Sequence, residues 1–252
     1  MGKAVRWILG RDLKKRNYYP KQNLEKLIME NNLIGIVKFF RDETYLNRLV
    51  DDGCIYCKTP ENYRLASLEG VGDKFESCKF SYRAQRNDSV VSIEVDGCKI
   101  HNSDLTIHAQ GGYDSWLHCW LALTLPTDPK GLENLINDIK RVKSEFGNHY
   151  AFIPANKIKK FSNMISRASS KPMMFGQVFY YEDQSKWSIF SKSNNYSYQR
   201  EFRFIFGECG VTEINPYVFY CENGFKNIIE KTPELKLISS QNRYAFLDLK
   251  YI

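Results

Sequence analysis

Three short stretches collect side chains that could act on a charged, planar substrate. The first is the strand ending in Phe39-Phe40-Arg41, where the chain closes on a guanidinium. A planar fork of N–H donors at a strand end can meet a phosphate or carboxylate in two parallel hydrogen bonds. The second is Gly53-Cys54-Ile55-Tyr56 with Lys58-Thr59-Pro60 behind it, a strand carrying one aromatic ring and leaving through polar residues. The third is Gln199-Arg200-Glu201-Phe202-Arg203. In a strand, Gln199, Glu201 and Arg203 share one face while Arg200, Phe202 and Phe204 share the other. If the phenylalanines take the core, Glu201 turns to a cleft or to water. Each stretch also has an ordinary use. Arg41 can be a surface residue leading Asp42 and Glu43, Tyr56 can simply pack, and Glu201 with Arg203 can form a solvated ion pair worth little. Their joint occurrence, in this order, points to function.

The elements that must hold these residues are short and mixed. Apolar spacing predicts a helix over 23–30, a buried strand over 33–40, a helix over 44–50 stopped by Gly53, and a strand over 54–58. Residues 61–77 read as turns. Residues 78–110 read as hairpin material, with Asp96-Gly97 as the turn. A buried strand over 116–125 and a long amphipathic helix over 130–146 follow; Leu132, Leu135, Ile136, Ile139 and Val142 form the apolar stripe of that helix. Strands are expected at 150–153, 176–181, 200–206, 217–221 and 244–249, with a short helix over 225–231. The order argues for an α+β fold rather than a doubly wound sheet. It reads as a single domain over 1–252, with a helical lead over about 1–32 and a core over about 33–252, built of split mixed and antiparallel sheets with flanking helices.

Composition narrows the function classes. The chain has 252 residues, 43% hydrophobic and 14% aromatic, enough to build a packed core. Its net charge of +7 favours encounters with polyanions, although solubility alone explains it as well. Seven cysteines without a secretory signal suit reduced thiols in a cytoplasm. Cys54 and Cys57 form a lone Cys-x-x-Cys whose strand spacing suits neither zinc nor redox chemistry. The four histidines lack ligand spacing, so no metal is expected. No Gly-rich phosphate loop and no membrane-spanning run is present, and no membrane partner is expected.

Lys38-Phe39-Phe40-Arg41, then Gly72-Asp73-Lys74-Phe75-Glu76, then Phe190-Ser191-Lys192 before Gln199-Arg200-Glu201-Phe202-Arg203 resemble a bacterial and phage-associated family labelled domain of unknown function 2971. That family shows a Tyr-Lys-Tyr-Arg-like strand, an Asn-Asp-Pro-Phe-Glu loop and a Glu-x-Glu-aromatic-Arg strand. The likeness spans about residues 36–206 in short, degenerate motifs. Here Asp-Pro becomes Asp73-Lys74, and the first acid of the late pair becomes Gln199.

Gln199-x-Glu201 is also similar to the third motif of ADP-ribosyltransferases, which follows a strand Arg or His and then a Ser or Tyr on the next strand. That resemblance implies an ADP-ribosyltransferase-like fold with NAD as substrate. It gives Glu201 and Gln199 catalytic roles and makes Arg41, Tyr56, Phe40 and Thr59 NAD-binding residues. Arg41 would grip the pyrophosphate and Tyr56 would stack on nicotinamide, while Glu201 stabilises an oxocarbenium-like cation and Gln199 orients the acceptor. The acceptor would be a nucleic acid, favoured by the charge, or a protein, and an antitoxin partner fits a toxin or phage-defence role. With a nucleic-acid acceptor, lysines and arginines are expected around the pocket rim. The rival reading is a non-catalytic nucleic-acid- or protein-binding module with Glu201 and Arg41 in structural ion pairs. A metal-dependent nuclease lacks the necessary cluster of ligands.

Overall fold

The computed structural model of the chain describes residues 32–68, 70–89, 91–102, 104–109, 111–238 and 245–249. The helix expected over 23–30, and most of the lead with it, lies outside these residues. Strand β1 (Leu33–Phe40) is followed by helix α1 (Glu43–Val50), which begins where the Asp42 carboxylate accepts a hydrogen bond from the Thr44 amide. After Gly53, whose φ is +68° and whose Cβ would run into the Cys221 carbonyl, comes β2 (Cys54–Cys57). Helix α2 (Pro60–Arg64) sits inside the stretch read as turns, started by a reciprocal cap between Thr59 and Asn62.

The middle of the chain alternates hairpins with one long strand. β3 (Phe80–Arg83) pairs with the later β6 (Asp104–Ile107). Between them, β4 (Val91–Val95) and β5 (Cys98–Asn102) form the hairpin expected at Asp96-Gly97, both with positive φ. β7 (Asp114–Thr124) is the longest strand. Helix α3 (Pro129–Phe146) begins with the Asp128 carboxylate accepting from the Gly131 amide.

The remaining elements are β8 (His149–Pro154), α4 (Ala155–Ala168), β9 (Met173–Gln177), β10 (Phe179–Tyr181), β11 (Ser191–Ser193), β12 (Glu201–Cys209), β13 (Tyr217–Tyr220), β14 (Glu230–Lys231), β15 (Lys236–Ile238) and β16 (Ala245–Asp248). The main sheet runs β14-β8-β1-β7-β12-β9, and each neighbour is antiparallel. The protein is a mixed α+β fold with few helices. Among the described residues, no helix is long and apolar enough to cross a membrane.

Each face of this sheet carries its own core. Phe202, Phe204 and Phe206 of β12, with Trp120, Ile36 and Ile153, pack against α1 and against Ile158, Phe161 and Ile165 of α4. On the other face Val37, Phe39, Leu121, Tyr150 and Phe152 pack against Leu135, Ile139 and Val142 of α3. The antiparallel register carries this division across β1, β7 and β12: Val37 stands opposite Leu121, and Leu121 opposite Glu201.

Several local expectations are corrected. Helix α4 was not anticipated from sequence; its apolar positions are diluted by Lys157, Lys159 and Lys160. The strand expected over 176–181 is two strands. At Val178 the chain turns from β12 toward β11, since the Val178 amide donates to Glu201 O and the Phe179 amide to Phe190 O. The helix expected over 225–231 is a turn running into β14, because Ile228 and Ile229 both donate to Phe225 O and no further turn follows. Phe225, Ile228 and Ile229 are buried, which explains the helix-like spacing.

Phe204 is fully buried between the sheet and α4, in edge contact with Phe161. Truncating Phe204 to Ala is expected to lower unfolding free energy by about 3–5 kcal/mol. Lys160→Ala, on the exposed side of α4, should stay within about 0.5 kcal/mol. Urea unfolding of both variants measures the contrast.

Candidate functional site

The backbone enters β12 through a sharp corner. Asn194–Gln199 forms a 3-10 turn, and Arg200 closes it in the left-handed region at φ +44°. Gln199 therefore does not lie on the strand as expected, and Arg200 points away to Asp138 at 2.7 Å. From Glu201 onward, alternation sends the phenylalanines into the α4-side core and leaves Glu201 and Arg203 on the α3 side. Two other segments meet them there. The Asp73–Glu76 loop is tightened by the Asp73 carboxylate, which accepts from the Phe75 amide. Strand β11 brings Lys192.

The result is a buried polar cluster. Arg203 donates from Nε to Glu201 Oε2 at 2.7 Å and from Nη1 to the Ile189 carbonyl at 2.7 Å. Its Nη1 and Nη2 lie 2.8 and 3.1 Å from the two carboxylate oxygens of Glu76. Lys192 Nζ donates to Glu201 Oε1 at 2.9 Å and to Gln199 Oε1 at 3.0 Å. It also lies 3.2 Å from Glu76 and 3.5 Å from Asp73. Gln199 uses its amide nitrogen on the Gly70 carbonyl at 2.7 Å. The Tyr180 hydroxyl accepts from the Glu201 amide at 2.8 Å.

Three carboxylates here share two cations, so their ionisation is unequal. Burial alone would raise all three. For Glu201 and Glu76, Arg203 and then Lys192 outweigh burial and hold both below the ordinary carboxylate range. Asp73 goes the other way, raised by burial and by repulsion from Glu76 against the pull of Lys192. Among the described residues, no group of three or more His, Cys, Asp or Glu side chains is arranged to hold a metal ion.

A second ion cluster fixes the loop from below. Arg64 makes a paired contact with Asp114 at 2.8 and 2.7 Å and donates to the Glu76 carbonyl from Nε and Nη2. Arg83 pairs with Glu61 in the same bidentate way, at 2.5 and 2.7 Å. Glu76 is thus held through its backbone by Arg64 and through its carboxylate by Arg203.

The other expected site residues are placed as follows. Arg41 lies on the α3 side of the sheet but donates from Nε and Nη2 to the Glu145 carbonyl at 3.2 and 2.5 Å, at the end of α3. The Glu145 carboxylate accepts from the Tyr198 hydroxyl, which accepts from Gln199 Nε2 at 3.4 Å. Arg41 is therefore linked to the cluster through two residues without touching Glu201. Tyr56 is 47% exposed, on the side of β2 opposite Ile55 and Cys57, which enter the α4-side core. Lys58 bridges to Leu117, so Tyr56 and Glu201 share a side of the sheet. Phe40 packs against the α4-side core, on the other face. Thr59 is buried, its hydroxyl donating to the Glu213 carbonyl and accepting from the Asn62 amide. In this structure Phe40 thus packs against the core and Thr59 caps α2.

Sequence reasoning gave no role to Lys38 or His118, which stand where the sheet splits. β1 leaves β7 after the Val37–Leu121 pair, and Lys58 takes up pairing at Leu117. In the gap, Lys38 Nζ donates to the Cys119 carbonyl at 2.7 Å, and burial lowers its pKa. His118 Nδ1 lies 3.0 Å from the Tyr56 carbonyl. A carbonyl only accepts, so Nδ1 carries the proton. Burial and the Lys38 charge push His118 down to about 3, leaving Nε2 a bare acceptor without a partner among the described residues.

The cluster predicts acid lability. Folded Glu76 and Glu201 hold depressed pKa values, so the unfolded chain binds more protons as pH drops. Their contribution is full above the unfolded glutamate value of about 4.3 and is lost as pH falls through that value toward the folded one. Asp73, shifted up, opposes this in part. Arg203→Met strands two buried carboxylates and is expected to cost about 3–5 kcal/mol. It should also flatten the acid limb of a urea-midpoint titration.

Compared with protein-family models, curated proteins and solved structures, the chain matches none of them.

Proposed function

We propose that this protein is an NAD-consuming ADP-ribosyltransferase centred on Glu201, with a nucleic-acid acceptor. The observation that carries the reading is a carboxylate kept ionised in a buried site, on the same side of a split sheet as Arg41 and Tyr56. In the reaction, the bond between nicotinamide nitrogen and ribose C1′ breaks with its electron pair going to the pyridinium. Neutral nicotinamide leaves, and positive charge develops on the ribose. A fixed anion stabilises that charge most where water is excluded. Lys192 and Arg203 each take one lone pair of Glu201, and each oxygen retains another for the ribose. An acceptor hydroxyl or amine then bonds to C1′ and releases its proton. Gln199 holds Lys192 and the Gly70 carbonyl, so in this reading it sets the position of Lys192. A toxin or phage-defence role with an antitoxin partner comes from the resemblance alone.

The second reading is a non-catalytic binding module in which Glu201 is a structural ion-pair residue. It is favoured by the 9% exposure of the Glu201 side chain and by the commitment of Arg41 to the end of α3. Nicotinamide release from NAD, with and without RNA, separates the two. Glu201→Gln should retain the fold and NAD affinity and lower turnover by about 100- to 1,000-fold. Arg41→Ala should raise KM for NAD more than it lowers kcat. A folded, fully active Glu201→Gln protein ends the catalytic reading. Wild-type protein inert toward NAD with RNA, DNA and protein acceptors establishes the binding module.

A further inference from the structure

A row of basic residues stands on α4, across the sheet from Glu201. Helix α4 carries Lys157, Lys159, Lys160 and Arg167 and no Asp or Glu in its 14 residues. Its apolar side, Ile158, Phe161 and Ile165, is spent on the core across the sheet from Glu201. The outward side forms an open, shallow depression of about 460 Å³ lined by Asn156, Lys159, Lys160, Asn163, Met164 and Arg167. Asn156, Lys160, Asn163 and Arg167 are all exposed and follow one another at helical spacing. They form a row of hydrogen-bond donors about 16 Å long on a helix rising 1.5 Å per residue. Lys157, beside that row, pairs with Glu230 at 3.8 Å.

We propose that this face of α4 is a docking surface for the sugar–phosphate backbone of a nucleic acid. Charge complementarity selects a polyanion, and alternating Lys or Arg with Asn supplies the donors that contact phosphate and sugar without reading bases. A membrane surface fits poorly, because a helix lying on lipid exposes its large apolar side chains and α4 buries them. The inference rests on the transferase reading only for naming this polymer the acceptor. Binding itself needs no NAD.

The test is fluorescence anisotropy of a labelled oligouridylate with the full chain, without NAD, across a salt series. Wild-type affinity should fall linearly with salt on logarithmic axes. Lys160→Glu/Arg167→Glu should weaken binding by about tenfold or more, and lose about 1.4 from the slope if two phosphate contacts vanish. Both residues are exposed, so an unchanged circular dichroism melt is expected for the double variant. Lys226→Glu, the same charge reversal at an exposed site off α4, should change affinity by no more than about twofold. Equal loss from Lys226→Glu, or wild-type binding by the double variant, overturns the proposal. So does binding to an acidic peptide or to phosphatidylserine vesicles in place of the oligonucleotide. So does binding that survives the double variant but is lost in Phe80→Ala, which would move the contact to the exposed rings of β3. Nicotinamide release is measured separately. A protein that binds through α4 but never consumes NAD keeps this inference and loses the transferase reading.

Discussion

Arg203 is almost wholly buried, and its guanidinium holds two carboxylates and a carbonyl at once. A buried charge of this kind persists only where every donor is met, because an uncompensated ion in the interior costs several kcal/mol. Meeting those donors fixes the geometry around it. Glu76 must come in from its loop, Glu201 must begin β12 on the α3 side, and the 188–191 turn must offer the Ile189 carbonyl. Lys192 then balances what Arg203 leaves over, reaching four acceptors from a strand only three residues long. The cluster joins the 73–76 loop to two neighbouring segments, 189–192 and 199–203, that lie more than a hundred residues further along the chain.

The same junction explains why the candidate chemistry and the stability of the fold are hard to separate. Glu201 is kept ionised by the two cations that also hold the Glu76 loop in place. Glu76 is tied in turn, through its backbone, to the Arg64–Asp114 and Arg83–Glu61 pairs beneath it. A carboxylate fixed on both sides is pre-organised, since it has little left to reorient when charge develops nearby. It also cannot be removed without stranding a partner. A neutral, shape-conserving change at Glu201 therefore alters the buried ion balance as well as the chemistry, while a change at Arg203 acts on folding.

Polarity is divided between the faces of the sheet. The α3 side carries the buried ions, while Lys38, which alternates with Ile36 and Phe40, spans the split between β1 and β7 to reach the Cys119 carbonyl. The α4 side is an aromatic core of Phe161, Phe202, Phe204, Phe206 and Phe225, with solvent-facing lysines beyond it. Strand alternation enforces the division, since a one-residue slip of β12 would drive Glu201 and Arg203 into the phenylalanines.

Local pattern alone determined much of this protein. The strands at 33–40 and 54–57, the Asp96-Gly97 hairpin, the helix at 129–146 and the facing of Phe202 and Phe204 follow from spacing and turn chemistry over a few residues. The grouping of Asp73–Glu76, Lys192 and Gln199–Arg203 was legible as a set of motifs, but not as a contact. Helix α4 escaped because its three core positions are interleaved with lysines. Phe225, Ile228 and Ile229 misled because a buried turn can copy helical spacing. What only the tertiary structure decided is which charges meet. Arg41 could have gripped a phosphate, yet it caps α3 at the Glu145 carbonyl; Thr59 could have faced a ligand, yet it caps α2. Glu201 and Arg203 could have been a surface pair, yet they are buried against Glu76 of a distant loop and Lys192 of β11. Secondary structure is set by neighbours along the chain, whereas the partner of a long, charged side chain is set by whichever segment the packed sheet brings within about 3 Å.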